Sequence, residues 1–192
     1  LSSTATRVGG LALAIALLVL ALRLVVLPLT LKADRDRLVQ AQLAPRLAEI
    51  TARCGDDAAA ASRATMKLLR EHSVRPFVNV LASVLQILLF TIAFGAVGSA
   101  AKGSLEPFAW VPMLGEPDPY YALPAIVAVL LAAMIVVGAA RVTRTRLAVA
   151  VLCGLALGAL VTGISAASNL YLTLNLALLV GQALLVRAWF DA

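Results

Sequence analysis

The sequence has 192 residues, of which 62% are hydrophobic and only 14% are charged, and its mean hydropathy is +0.97. A soluble domain of this length does not have such a composition, so we expect a membrane protein with several spans. The chain carries one histidine and two cysteines, too few and too scattered for a metal site or a disulfide. We therefore expect no metal, no cofactor and no enzymatic activity, since the candidate nucleophiles Ser165 and Ser168 have no base nearby in sequence and no phosphate-binding glycine loop occurs.

Five apolar runs predict an all-α membrane protein with five transmembrane helices, because about 20 apolar residues suffice to cross a bilayer. The last two runs are nearly continuous, and we divide them where small and polar residues favour a tight reversal, at 163–169. We expect the whole chain, residues 1–192, to form a single domain. The predicted spans cover residues 9–31, 77–97, 122–140, 147–163 and 168–186.

A charged segment, residues 32–75, separates the first two spans. Leucines recur in it at helical spacing, the pattern breaks at Gly55, and a second helical stretch follows, which predicts a helical hairpin of two amphipathic arms. Pro45 should kink or break the first arm. The basic residues expected to form a contact surface on this hairpin are Arg35, Arg37, Arg46, Arg53, Arg63, Lys67 and Arg70.

Residues 98–121 contain four prolines and include Trp110, Tyr120 and Tyr121, which predicts an ordered loop with its aromatic side chains at the level of the lipid headgroups. Basic residues fall mainly in the hairpin, in the connector around Arg141 and near the C-terminus, whereas the opposite side holds Arg7 and Lys102. Cytoplasmic loops carry the excess of Lys and Arg. We therefore predict a cytoplasmic hairpin and C-terminus, with the N-terminus outside.

Arg23 is the most unusual residue, since it lies inside an otherwise apolar run. At ~1.5 Å per residue it lies roughly 13 Å from the level of Lys32, close to the middle of the bilayer. A charge at that depth costs at least ~2.5–3.5 kcal/mol and usually faces a polar cavity with a function. The alternative is an arginine that snorkels to the headgroups or pairs with a neighbouring helix without any further role.

Other polar side chains in the spans fall on single helix faces, mostly in the cytoplasmic halves. Together with Arg23 they predict a wet groove that is open to the cytoplasm and closed towards the outside. Alternatively, these polar side chains form hydrogen bonds between helices, each of which contributes ~0.6 kcal/mol. In the fourth span, Gly154 and Gly158 indicate close packing of two helices. The predicted groove residues are Arg23, Thr30, Asn79, Ser83, Gln86, Ser168, Asn175 and Gln182, with Ser165 on the same stripe.

Several motifs, in order, resemble the YidC family of membrane-protein insertases. The most specific is Asp118-Pro119-Tyr120-Tyr121-Ala122-Leu123-Pro124, at the start of the third span. The others are Arg23 with Pro28-Leu29, Gln42 to Ile50 with Pro45, Val74-Arg75-Pro76, Leu85-Gln86-Ile87 and Ser168-Asn169-Leu170. The departures are Leu88 in place of a proline, Ile164-Ser165 in place of Tyr-Trp, and Asn175-Leu176 as a competing match to Asn169-Leu170.

The resemblance implies an insertase that places small or N-tail-out proteins into the bacterial inner or plasma membrane, without ATP hydrolysis and beside or independently of the Sec translocon. It implies a form that lacks the large periplasmic domain, and it adds Asn169 to the groove. The implied partners are newly made membrane proteins, the ribosome, the Sec translocon and anionic lipids, with no direct nucleic-acid binding. Two other classes stay open: a scaffold that assembles membrane proteins without inserting them, and a small transporter or channel, which the apolar outer halves disfavour.

Overall fold

The computed structural model describes residues 10–55, 57–74, 76–138 and 142–191. Within these ranges the chain is helical, with only two isolated β-bridges, so the all-α expectation is confirmed. Arg7, Arg75 and Arg141 lie outside the described residues. The helices are α1 (Gly10–Cys54), α2 (Ala58–Glu71), α3 (Pro76–Ala101), α4 (Ala122–Val137), α5 (Arg144–Leu160) and α6 (Ala166–Asp191).

Three of the described helices are long and apolar enough to cross a membrane: α1, the segment Asn79–Ala101 of α3, and the segment Ala166–Trp189 of α6. Helix α4 is apolar but has 16 residues, and α5 has 17. The structure therefore supports three spans by length and composition, and the count of five stays a prediction. The reversal between the last two helices covers residues 161–165, slightly before the predicted position.

Helix α1 is continuous over 45 residues and includes both Pro28 and Pro45. A proline inside a helix removes one N–H and leaves the carbonyl four residues earlier without its usual donor. Pro45 and Ala41 are both exposed, so water can satisfy the carbonyl that Pro45 leaves open. This explains why the helix is not broken at Pro45.

The chain divides into two compact units, and the larger one comprises the described parts of residues 1–25 and 88–192. Its core is centred on Tyr171, whose side chain is fully buried, and includes Ile15, Val19 and Leu114. The ring of Phe90 packs against that of Tyr171 at 5.5 Å between centroids. Such aromatic pairs contribute ~0.5–1.5 kcal/mol beyond the area that they bury.

The loop at residues 102–121 caps the N-termini of three helices in the larger unit. The Glu106 carboxylate accepts a hydrogen bond from Leu11 N at the start of α1 (2.8 Å). The carbonyls of Glu116 and Leu114 accept from the first two residues of α6, at 2.7 and 3.0 Å. Asp118 accepts from Leu123 N at the start of α4 (2.7 Å). Because the first N–H groups of a helix have no partner within it, the loop stabilises all three helix starts.

Helix α5 packs on α4 through two glycines. A Cβ atom at Gly154 would lie 2.4 Å from the carbonyl oxygen of Ala128, and one at Gly158 would lie 3.1 Å from that of Pro124. A Cβ atom essentially never lies 2.4 Å from a non-bonded heavy atom, and one at Gly158 would also lie 2.9 Å from the Ala128 Cβ. Glycine at both positions therefore permits the close approach of the two backbones. The predicted use of this pair for helix packing is confirmed.

The smaller unit comprises residues 26–87 and contains the hairpin segment. Asp57 caps α2, since its carboxylate accepts from Ala60 N at 2.9 Å. The apolar face of α2 packs against α1 in a small core formed by Leu43, Leu69 and Val74. Leu43 of α1 and Leu69 of α2 therefore belong to one small core, and the hairpin itself stays a prediction.

Candidate functional site around Arg23

Arg23 lies on the buried stripe of α1 and is only 8% exposed. The stripe follows helical spacing, so Arg23 points to the same side as the core residues that precede it. Its Nη2 donates one hydrogen bond to the side-chain oxygen of Asn175 at 2.6 Å and another to the Asn175 backbone oxygen at 3.2 Å. Both residues belong to the larger unit, and both are among the predicted groove residues. The other members of the buried stripe are Ala12, Ile15, Val19, Val26, Thr30, Ala33 and Asp36.

Tyr171 extends this contact into a short polar network. Its hydroxyl donates to the backbone oxygen of Phe90 at 3.4 Å and also hydrogen-bonds the Asn175 side chain. Since the Asn175 oxygen already accepts from Arg23, the amide group is the end that can donate to the Tyr171 oxygen. One side of Asn175 therefore holds a cation, and the other is fixed by a buried tyrosine.

This arrangement can bind an anion. A guanidinium has five N–H donors in a planar fork that fits a carboxylate with two parallel bonds. The side chain of Asn175 is neutral, and the membrane-spanning segment Ala166–Trp189 of α6 contains no Asp or Glu. A hydrogen bond from Arg23 to a carboxylate would be stronger than one to an amide. An acidic group that reached Arg23 could therefore compete for it.

Ser168 and Asn169, by contrast, use their side chains in the turn before α6. The Asn169 amide donates to the carbonyls of Val161 (3.0 Å) and Ile164 (3.3 Å). The Ser168 hydroxyl lies 3.0 Å from that of Ser165. Both predicted site residues are almost fully buried and hold the reversal between α5 and α6. Of the polar stripe on α6, the structure brings Asn175 to Arg23, and Gln182 follows two turns later, partly exposed.

The remaining predicted groove residues, Thr30, Asn79, Ser83 and Gln86, belong to the smaller unit. Asn79 donates to the Asp36 carboxylate at 3.0 Å, and Ser83 donates to the backbone oxygen of Asn79 at 3.0 Å. Thr30 is buried, and its hydroxyl donates to the Leu27 carbonyl. Asn79, Ser83 and Gln86 are partly exposed and stay on one face of α3, as the spacing predicts.

The described basic side chains of the hairpin segment are exposed. Arg63, Lys67 and Arg70 follow each other on one face of α2, away from its buried residue Leu69. Arg53 lies 3.8 Å from Glu49 on α1, and such an exposed pair contributes little stability. Arg35 and Arg46 are also exposed, and the side chain of Arg37 lies outside the described part.

The sequence does not point to two residues that the structure assigns to polar networks. Tyr171 lies in an apolar run, where an aromatic residue has no distinctive pattern. Asp36 is one of many charges in the hairpin segment, yet it is only 4% exposed. Helical spacing could have identified Asp36, because steps of three residues along the buried face of α1 lead from Thr30 through Ala33 to Asp36.

A family model described as 60Kd inner membrane protein matches residues 3–192. The chain is similar to the membrane protein insertase YidC of Fusobacterium nucleatum, with 31% identity over 126 residues, which is 66% of this chain and 61% of that protein.

Two further relatives with the same name come from other bacteria. The protein of Anaeromyxobacter dehalogenans is 32% identical over 111 residues, 58% of this chain and 20% of that protein. That of Laribacter hongkongensis is 31% identical over 116 residues, 60% of this chain and 21% of that protein. The matched part thus spans about three fifths of the first relative and about a fifth of the other two.

Proposed function

Because the chain belongs to the 60Kd inner membrane protein family, we propose that it is a membrane-protein insertase of the bacterial inner membrane. Its substrates would be small or N-tail-out membrane proteins that arrive from the cytoplasm. The observation that carries this proposal is the buried guanidinium of Arg23 in the first membrane helix. This guanidinium donates a hydrogen bond to the neutral side chain of Asn175 on α6. The relatives named as insertases support the same assignment.

Arg23 would hold an acidic group of the substrate for a short time. A substrate carboxylate would accept from the Arg23 guanidinium while Asn175 holds Nη2 in place, because charge-assisted pairs are shorter and about twice as strong as neutral ones. The apolar helix of the substrate would then move into lipid, where burial of its apolar surface contributes ~25 cal/mol per Å². This sequence of events breaks no covalent bond, so it requires neither a catalytic residue nor a cofactor.

A polar groove open to the cytoplasm is part of the proposal and derives from the sequence pattern. Its function would be to let the polar tail enter part of the bilayer, which shortens the apolar barrier that the tail must cross. On α6 the pattern is supported by Asn175 and Gln182, and on α3 by the partly exposed Asn79, Ser83 and Gln86. Ser168 and Asn169 would contribute to the turn before α6 and not to the groove.

We further propose the topology of five spans, with the N-terminus outside and the C-terminus in the cytoplasm. The loop at 102–121 supports it, since it caps the N-termini of α1, α4 and α6, which therefore start at the same end of the larger unit. In a five-span chain these are the first, third and fifth spans, and all three would start on the outside. The short α4 and α5 would then be completed by flanking residues.

The basic face of α2, formed by Arg63, Lys67 and Arg70, would contact anionic partners at the cytoplasmic surface. Clustered Lys and Arg attract anionic lipids with about 1 kcal/mol per residue near the membrane. The ribosome and the Sec translocon are further proposed partners, and newly made membrane proteins would be the substrates. Direct nucleic-acid binding is not part of the proposal.

The proposal is tested by the substitution Arg23→Ala in bacterial cells depleted of their own insertase. Two single-span test proteins are compared, one with aspartates in its N-terminal tail and one with asparagines at the same positions. Loss of a charge-assisted hydrogen bond (~1.5–3 kcal/mol) corresponds to a tenfold or greater loss of acidic-tail insertion. Arg144→Ala, which removes an exposed arginine of α5, is the matched control and should keep insertion.

If the Arg23→Ala protein reached the wild-type level and inserted acidic tails as well as the wild type, the role of Arg23 would be refuted. If the wild type itself failed to insert either test protein while it still supported assembly of membrane complexes, the chain would be a scaffold.

A further inference from the structure

The contact between Arg23 and Asn175 has a chemical feature that bears on substrate choice: a cation is held by a neutral group. We propose that Asn175 is a positioning residue that fixes the Arg23 guanidinium without cancelling its charge, and that it thereby sets the preference of the site for acidic tails. This inference rests on the proposed insertase function and deepens it.

Asn175 offers two acceptors to the Arg23 guanidinium. A single Arg23 nitrogen, Nη2, donates to both the side-chain oxygen (2.6 Å) and the backbone oxygen (3.2 Å) of Asn175. A backbone oxygen has two lone pairs, so this one can accept from Arg23 in addition to its partner within the helix. Two acceptors on the same residue restrict the position of Nη2 more than either acceptor alone.

Asn175 is in turn held by the protein. Tyr171 is fully buried, its hydroxyl donates to the Phe90 oxygen, and it hydrogen-bonds the Asn175 side chain. A functional side chain keeps its geometry when the groups behind it are themselves locked by packing and hydrogen bonds. The chain of contacts from Phe90 through Tyr171 and Asn175 to Arg23 meets this description.

The neutral amide matters because a carboxylate of the same shape would have the opposite effect. Aspartate is nearly isosteric with asparagine and could accept the same two hydrogen bonds from Arg23. It would form a charge pair there, and charges interact far more strongly in a desolvated site than in water. An incoming acidic tail would then meet a neutralised arginine and a repelling carboxylate.

The test uses the full chain and the two test proteins, with aspartates or asparagines in the tail. In the Asn175→Asp variant the ratio of acidic-tail to neutral-tail insertion should fall about tenfold, which corresponds to ~1.4 kcal/mol. Asn175→Ala should lower the ratio less, and Asn175→Gln should restore part of it, because the amide can still accept from Arg23. Gln42→Glu, the same amide-to-acid change on an exposed residue of α1, is the control and should keep the ratio.

A purely structural role for Asn175 would lower insertion of both test proteins equally, and that result would overturn the inference. Protein levels in the membrane are measured for each variant. Asn175→Glu replaces Asn175→Asp if the latter does not accumulate, and the same fall in the ratio is expected. If Arg23→Ala abolishes acidic-tail insertion while Asn175→Asp keeps the ratio, the inference on Asn175 fails and the insertase proposal stands. If Arg23→Ala has no effect, the proposed role of Arg23 fails first.

Discussion

The Asp118 carboxylate links the loop at residues 102–121 to the start of α4, and its replacement by asparagine tests how firmly that loop is held. One carboxylate oxygen accepts from Leu123 N (2.7 Å) and from the Trp110 ring N–H (3.3 Å), and the other accepts from Tyr120 N (3.1 Å). The side chain is only 1% exposed, so water cannot replace these bonds. Asparagine has one acceptor oxygen, and its NH₂ group must face at least one of the three donors.

The expected loss of stability follows from this count. One buried donor without a partner costs ~1–3 kcal/mol, and each remaining bond loses the assistance of the negative charge. We therefore expect Asp118→Asn to lower the free energy of unfolding by ~2–4 kcal/mol. At ~2–4 °C per kcal/mol for a chain of this size, the melting temperature should fall by roughly 4–16 °C.

The pH dependence gives an independent check of the same residue. Burial alone would raise the pKa of Asp118, but the hydrogen bonds from Leu123, Tyr120 and Trp110 outweigh it and hold the pKa below its usual value. The ionised form is therefore favoured in the folded state. Its stabilisation is complete above the unfolded pKa of ~3.9 and is lost as the pH falls through the lower folded value. The melting curves of wild type and Asp118→Asn should thus approach each other in acid.

The measurement is thermal unfolding in detergent, followed by helical circular dichroism between neutral and acidic pH. Glu116→Gln, which removes an exposed carboxylate of the same loop, is the control and should melt within ~1 °C of the wild type, because exposed charges contribute little. If Asp118→Asn melted like the wild type at neutral pH, or if the difference did not shrink in acid, the assignment of Asp118 as the anchor of the loop would be refuted.

Two further substitutions test the packing of each unit. Gly154→Ala places a Cβ 2.4 Å from a carbonyl oxygen of α4, so thermal unfolding should show a loss of ~1–3 kcal/mol. Gly181→Ala, where nothing lies within 4 Å, should be neutral or slightly stabilising, and equal effects of the two would contradict this account. Asp36→Ala removes the acceptor of the Asn79 amide, and protease cleavage of the hairpin should become at least fivefold faster, as expected for ~1 kcal/mol or more. Glu71→Ala, at an exposed carboxylate of α2, should leave the cleavage rate unchanged.

The sequence alone identifies Arg23 because a charge in an apolar run is costly and therefore conspicuous. It also identifies Asn175 as a polar residue within a span. Their contact could not be predicted, since the two residues are 152 positions apart and helical periodicity only orders residues within one helix. Which faces of α1 and α6 meet is decided by packing in the larger unit.

Ser168 and Asn169 illustrate the opposite case. Ser168 shares a helix face with Asn175, and the family resemblance adds Asn169 to the groove. Their side chains nevertheless bond the carbonyls and the hydroxyl of the preceding turn. Small polar residues near a helix start often form such local bonds, and spacing alone does not distinguish the two uses. The same limitation applies to Tyr171, whose hydroxyl has a role that its apolar neighbours in sequence do not reveal.

The measurement that tests the central claim most directly is the accessibility of single cysteines from each side of the membrane. Cysteines are placed at Asn79, Ser83, Asn175 and Gln182, in a chain without Cys54 and Cys153, and treated with a membrane-impermeant thiol reagent. Leu184→Cys is the control on α6, since Leu184 is an exposed apolar residue on the helix face opposite Asn175 and should face lipid. The account predicts labelling of the polar positions from the cytoplasmic side alone and no labelling at the control position. Labelling from both sides would indicate a channel, and no labelling at any position would mean that these side chains only join helices, which would contradict a cytoplasm-open groove.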